Sequence, residues 1–358
     1  MTCQFTADLL VNLLLTSLVM ACPLSSVAAD TARPLIGVIR WDGQSGFDAK
    51  QVGCEEEIAL GSSQWQYRLP FYAQKPTGDS CRLRRAITQE VIDREIAYAK
   101  EGGVDYWAFC WYANEYYLST ARHLYEKSKH KEDVKWCAII SNGFFQPDVD
   151  YLVRQMREAN YQKVAGGRPL LYTFGCTKPE IITNLREHCK SQGVATPYVV
   201  VMEWSGQTTA ALCDKIGGDA ISAYTSFTRG DTEVAYQAFA AAEQASWESW
   251  AKTGRKVIPW ATVGWDPRPR IQMIPKYDFA PLGYASSHSM STGSEYADQL
   301  RACLRWTVDH PSICEANSIL CYSWNEFSEG GSICPKLSGG REHLDALKQV
   351  SHAPLSSW

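Results

Sequence analysis

Apolar residues along the chain fall into short continuous runs at positions 35–41, 104–112, 134–141, 169–174, 198–203, 220–227, 257–263 and 318–324. None of these runs alternates with polar residues. Continuous apolar runs of this length predict strands of a parallel sheet covered on both faces. Between them lie segments whose apolar residues recur at helical spacing. One starts after Thr88, a suitable N-cap, carries Val91, Ile92 and Ile96 on one side, and ends at Gly102-Gly103. Further helices are predicted over 120–129, 148–160, 179–191, 208–216, 232–252, 294–309 and 342–350.

Eight strands, each followed by a helix, is the count of an α/β protein of the (β/α)8 TIM-barrel type with extended βα loops. The competing arrangement, an open doubly wound sheet, calls for a glycine-rich phosphate turn after its first strand. The segment "WDGQSGFDAK" holds no such pattern. No internal repeat, low-complexity stretch or linker divides the chain.

The barrel reading supplies a filter, because catalytic groups of this fold gather at the carboxyl ends of the strands. Strand one leads into Arg40, Trp41 and Asp42, then a long loop with Trp65 and Tyr67. Strand two ends in Trp111, Tyr112, Asn114 and Glu115, and strand three in Ser141 and Asn142. Strand five ends in Glu203 and Trp204, and strand six presents Tyr224. "GWDPRPR" after strand seven carries Trp265, Asp266, Arg268 and Arg270. Strand eight runs into "SWNEFSEGG", with Trp324, Asn325, Glu326 and Glu329. Aromatic, amide and charged groups thus collect at one end of nearly every strand, as a carbohydrate cleft requires.

Composition narrows the chemistry. A net charge of −4 over 358 residues gives no basic field for a nucleic-acid backbone. The chain has 13 Trp and 18 Tyr, most of them expected to pack the core, the rest available to lie against sugar rings. Histidines such as His123, His188 and His288 show no metal-ligand spacing, so neither a metal nor a cofactor is expected. Leu9 to Met20 is apolar and Val27-Ala28-Ala29 resembles a cleavage site, so residues 1–29 are expected to be a signal peptide. The remaining 30–358 would form a single (β/α)8 catalytic domain, secreted or periplasmic. A membrane tether would arise only through Cys22, an imperfect lipoprotein-type cysteine. Of 13 cysteines, Cys54 with Cys81 and Cys176 with Cys189 lie where a disulfide would help, whereas Cys110, Cys137 and Cys321 sit in strand-like runs as buried thiols.

Glu326 and Glu329 are the chemical centre. Acetal cleavage needs a proton for the leaving oxygen and a second carboxylate near the anomeric carbon, with their pKa values pushed apart. Gly330-Gly331 permits a turn that brings both acids to one cavity and leaves room near the backbone for substrate.

"SWNEFSEGG" resembles the Trp-Asn-Glu-aromatic-x-Glu-Gly signature of glycoside hydrolase family 99 and its wider relatives, among them glycosyltransferase-like proteins of polysaccharide gene clusters. "VGWDPRPR", "GVDYWAFCWY" and "LIGVIRWDG" are similar to other segments of those proteins, so the likeness covers most of the chain. The resemblance implies a (β/α)8 barrel that cleaves glycans with retention. Glu326 would act as base on the sugar's own 2-hydroxyl, and Glu329 as acid and then base. Phe327-Ser328 depart from the aromatic-histidine pair common in the family, and "CEEEIALGSSQWQYRLPFYA" has no counterpart there. The sugar identity is therefore not carried over.

Several residues keep two readings. Asp266 either holds a sugar hydroxyl or pairs with Arg268 or Arg270. Glu203 is a rim acid or half of an ion pair. Asn325 orients Glu326 or bonds a 2-hydroxyl, and Trp111 and Trp324 either stack on sugar or belong to the core. An exported glycoside hydrolase with a carbohydrate substrate is the leading expectation. A glycosyltransferase-like relative and a non-catalytic carbohydrate-binding barrel are the alternatives.

Overall fold

The computed structural model describes residues 33–44, 55–83, 86–144, 146–228, 230, 232–274 and 287–358. The apolar amino-terminal run, its cleavage site, Cys22 and Cys54 lie outside them.

The eight expected strands are present at Leu35–Arg40, Tyr106–Cys110, Lys135–Ile140, Arg168–Phe174, Tyr198–Met202, Ala220–Ser222, a split seventh at Lys256–Val257 and Trp260–Thr262, and Ser318–Tyr322. All pair in parallel in chain order, and strand eight returns to strand one with Leu35 opposite Ser318. The split seventh strand closes the ring. Its first half pairs with strand six and its second half with strand eight. Between the halves, Ile258 N donates to Ile221 O, and Pro259 O accepts from Leu320 N. Proline has no N–H to donate, so the ladder breaks there and the chain hands over from one neighbour to the other. The protein is a (β/α)8 barrel.

Burial accounts for the continuous apolar runs. Every residue of strands five and eight is buried, because helices cover the outer face and side chains fill the inside. The filling includes a hydroxyl cluster in which Tyr106 OH lies 2.8 Å from Tyr172 OH and 2.9 Å from Ser318 Oγ. Gly37 makes room for it, since a Cβ there would lie 2.1 Å from the Tyr106 ring.

Helix Gln89–Glu101 is capped by Thr88, whose hydroxyl accepts from Val91 N at 3.4 Å, and Gly103 follows with φ of +76°. Helix Pro179–Ser191 matches its expected span, and Gly293–Asp309 begins with a capping box of Thr292 and Glu295. Two helices were not expected. Glu55–Gly61 lies inside the long loop after strand one, and Arg268–Met273 follows strand seven. They pack on each other beneath the turn after strand eight. Cys176 and Cys189 are unpaired buried thiols, which corrects the expected staple.

Candidate active site

The "SWNEFSEGG" segment divides into a frame and two working groups. Trp324 is fully buried, its ring 5.4 Å from Trp107, and its Nε1 donates to Glu95 Oε1 at 3.1 Å. Asn325 is likewise buried. Its Oδ1 accepts from Trp41 N at 3.0 Å and its Nδ2 donates to Asp42 Oδ1 at 3.1 Å. Glu326 N donates to Gly331 O at 2.9 Å and to Ser323 Oγ at 3.1 Å, which closes a tight loop. Gly330 has φ of +78°, a left-handed conformation glycine adopts without penalty. A Cβ on Gly331 would lie 2.3 Å from the Tyr322 ring. The room made by this second glycine is taken by Tyr322, which corrects the expectation that it clears space for substrate.

The loop turns Glu326 and Glu329 toward the same hydroxyl. Tyr322 OH donates to Glu329 Oε2 at 2.6 Å and lies 3.5 Å from Glu326 Oε2. Tyr224 OH donates to Glu326 Oε1 at 2.5 Å. The Arg270 guanidinium is salt-bridged to Glu329 through one nitrogen and donates through another to Glu56 Oε1 at 2.9 Å. It also lies over the Trp41 ring at 4.7 Å. Burial first and the Glu329 charge second push the Glu326 carboxyl up to about 8, against the opposing pull of Arg270 and the Tyr224 hydroxyl. The environment of Glu326 thus favours its protonated form.

The two glutamates open on a cleft of about 360 Å³ at the carboxyl ends of the strands. Of the residues expected to bind substrate, Trp41, Tyr112, Tyr224, Trp265 and Arg270 line it. Trp41 is fixed by a 2.7 Å bond from its Nε1 to Tyr112 OH. Phe174 and Trp204 complete the ring-lined wall, and Phe174 stacks on Tyr224 at 4.9 Å.

Other expected residues lie elsewhere. Trp111 packs against Phe144 and Tyr151 with Arg122 4.1 Å above its ring, so it belongs to the core side of its strand. Trp324 is core for the reason given above. Asn142 pins the loop after strand four, with Nδ2 to Thr177 Oγ1 at 3.0 Å and Oδ1 accepting from Thr177 N at 2.9 Å. Asp42 faces inward to Arg40, whose Nε donates at 3.0 Å and whose guanidinium also reaches Glu95 at 2.8 Å. Asp266 is fully buried and paired with Arg68 and Arg268, so the ion-pair reading holds, with Arg68 as the partner that was not expected. Glu203 is half-buried and its carboxyl is raised by that burial; it forms no ion pair with a described residue. Asn325 does not touch the Glu326 carboxyl but secures the backbone of strand one.

Sequence reasoning missed Glu56 and Tyr322, and also Phe174 of the cleft wall. Glu56 stands in an acidic triplet where nothing local separates it from Glu55 and Glu57. Tyr322 reads as one more strand residue; its ring is fully buried, and nothing in the run marks its hydroxyl as the one that meets both carboxyl groups.

Neither a family model nor a curated protein matches this sequence. Among solved structures, the chain is similar to the GH99 endo-alpha-mannosidase of Bacteroides thetaiotaomicron in complex with BIS-TRIS-propane. The TM-score is 0.56 at 15% identity, covering 88% of this chain and 95% of that one. A second structure of that enzyme gives a TM-score of 0.55 at 13% identity, with the same coverage. The shared feature is the (β/α)8 barrel. At such identity the likeness concerns the fold alone.

Proposed function

We propose that this protein is a glycoside hydrolase that cleaves a glycan or polysaccharide between Glu326 and Glu329. The observation that carries the reading is the pair itself: two buried carboxyl groups joined through one tyrosine hydroxyl, at the catalytic end of a barrel, in a cleft walled by aromatic rings. A retired binding barrel has no use for two carboxyl groups kept this close at the cost of burying them. A glycosyltransferase needs a grip on phosphate, and Arg270, the one basic residue among the described residues lining the cleft, is already committed to Glu329 and Glu56.

The separation of the pair supports retention. One hydroxyl that lies 2.6 Å from Glu329 Oε2 and 3.5 Å from Glu326 Oε2 brings these oxygens closer than the roughly 6.5–9.5 Å that inverting enzymes leave for an attacking water. In the assigned scheme Glu326 takes the proton of the sugar's 2-hydroxyl while its oxygen closes onto the anomeric carbon. Glu329 protonates the departing oxygen. Water then opens the 1,2-anhydro ring, Glu329 taking its proton while Glu326 returns one to the 2-oxygen. The raised Glu326 carboxyl favours its protonated form, so the scheme calls for that proton to pass to Glu329 on binding, and Tyr322 lies between them.

The test is digestion of a glycan panel by the wild type, Glu326→Gln and Glu329→Gln. Each variant is expected to lose about 10²- to 10⁴-fold in rate on ordinary glycosides. Full activity in both variants rejects the site. Glycosyl fluorides need no proton to leave, so Glu329→Gln should retain them and Glu326→Gln should not. The opposite result exchanges the two roles, as the raised carboxyl of Glu326 would favour.

A further inference from the structure

Beyond Trp204 the cleft has a neighbour. The loop after strand six and one face of helix Tyr236–Ala251 enclose a groove of about 160 Å³, and Trp204 and Thr225 line both hollows. Trp204 is 50% exposed and stands as a partition. It meets Phe174 edge-on at 5.3 Å on the cleft side and Phe227 at 5.4 Å on the groove side. The groove floor is held firmly. Trp250 fits a notch at Gly206, where a Cβ would lie 2.7 Å from the indole, and packs on Trp260 at 4.7 Å. Trp260 Nε1 in turn donates to Ser226 Oγ at 2.8 Å.

The polar groups of the groove are hydroxyls and one acid. Glu243 is buried and accepts from Thr262 N at 3.0 Å, Thr262 Oγ1 at 2.6 Å and Gln299 Nε2 at 2.7 Å. Burial raises its carboxyl above the ordinary range, and none of the described residues lining the groove is basic. Rings for an apolar face, with a few hydroxyls around them, suit an uncharged sugar. A uronate or sulfate there would lie near Glu243 with no cation among those lining residues to meet it.

We propose that this groove is a further subsite, holding a neutral hexopyranosyl residue of the same glycan whose scissile bond lies at Glu326 and Glu329. The inference rests on the hydrolase reading for its chain direction, but the binding it asserts is measurable separately. Continuity across Trp204 makes the substrate an oligomer rather than a disaccharide.

Ala242 is exposed on the helix at the groove mouth, where arginine is a good helix former and would fill the space. The experiment compares wild type with Ala242→Arg on neutral oligosaccharides from disaccharide to hexasaccharide, and on uronate-containing oligomers of the same lengths. The ratio of KM for the longest to the shortest neutral substrate should rise about tenfold in the variant, the equivalent of one lost subsite contact. An unchanged ratio overturns the subsite while leaving the hydrolase intact. If the wild type cleaves nothing, the same sugars are titrated by tryptophan fluorescence. A length advantage that Ala242→Arg abolishes then sustains the subsite without the hydrolase, and no length advantage overturns it. An equal length advantage for uronate oligomers overturns the neutral assignment. Should Ala242→Arg misfold, Phe227→Ala removes the opposite wall and the same ratios decide.

Discussion

Ser328 donates its hydroxyl to Glu56, joining the turn after the last strand to a helix 272 residues earlier in the chain. Ser328 N also donates to the other Glu56 oxygen at 3.2 Å, and Arg270 Nε reaches Ser328 Oγ at 2.7 Å. The turn after strand eight thus touches the long loop after strand one, and the two segments support one arginine together. Glu56 is also an anion near Glu326 and helps hold its proton there. Glu56→Gln keeps the shape and removes the charge, so the Glu326 proton should leave at lower pH. The basic limb of kcat/KM is expected to move down by up to about one pH unit. A limb that stays in place in a folded variant would remove Glu56 from the electrostatics of the site.

Tyr322 is the second test of the wiring. Burial beside two carboxyl groups pushes its hydroxyl well above the usual range, so it remains a donor at any working pH. Tyr322→Phe leaves the ring against Gly331 and deletes only the oxygen. A lost hydrogen bond to a charged group is worth about 1.5–3 kcal/mol, which corresponds to a fall of roughly 10- to 100-fold in kcat. KM and the melting temperature should change little. A loss confined to KM would make Tyr322 a binding group instead of the link between the acids.

The barrel was legible because eight apolar runs and their intervening helices each repeat a local signal. Pro259 shows the limit of that signal. The run 257–263 reads as one strand, and only the pairing of its two halves with different neighbours shows where the ring closes. The acids after strand eight were legible because a local motif carries both. What surrounds them was not. Trp265 and Trp324 both read as strand-end rings, yet one lines the cleft and the other is sealed against Trp107. That choice depends on strand register and on which face the pleat turns inward, neither of which a single run of residues specifies. Glu56 reaches the site from a loop whose helix forms only against its partners.

Trp324 and Trp204 should therefore separate under mutation. Trp324→Ala opens a cavity in the core and leaves Glu95 short of a donor, with an expected cost of about 3–5 kcal/mol. Trp204→Ala, at a half-exposed ring, should cost about 1 kcal/mol or less. Denaturant unfolding of both variants is the check. A mild effect at Trp324 would return that ring to the list of sugar platforms.

The raised carboxyl of Glu326 sets a sign for stability against pH. Folding lifts this group from its ordinary 4.5 to about 8, so between those values the folded chain holds a proton that the unfolded chain has released. The contribution is full below about pH 4.5 and is lost as pH rises through 8. Glu326→Gln cannot lose that proton. Relative to wild type it should become more stable as pH rises from 5 to 9, by on the order of a few kcal/mol at most. Thermal melts of the two proteins across that range give the difference directly. Parallel curves would mean that Glu326 is ionised in the folded protein throughout.

The closeness of Glu326 and Glu329 leaves two routes to retention, and the substrate distinguishes them. If a glutamate attacked the anomeric carbon itself, removing the 2-hydroxyl would remove only binding contacts and ease the build-up of positive charge on the ring. If the 2-oxygen is the nucleophile, its loss removes the bond that forms. A 2-deoxy glycosyl fluoride supplies a leaving group that needs no acid, so failure to cleave it cannot be blamed on Glu329. Wild type is expected to leave both 2-deoxy and 2-O-methyl fluorides uncleaved while hydrolysing the parent fluoride to a product of the same anomeric configuration, read by proton NMR in the first minutes. Cleavage of the 2-deoxy fluoride with a trapped glycosyl ester on either glutamate would replace participation by the sugar with direct attack by the protein.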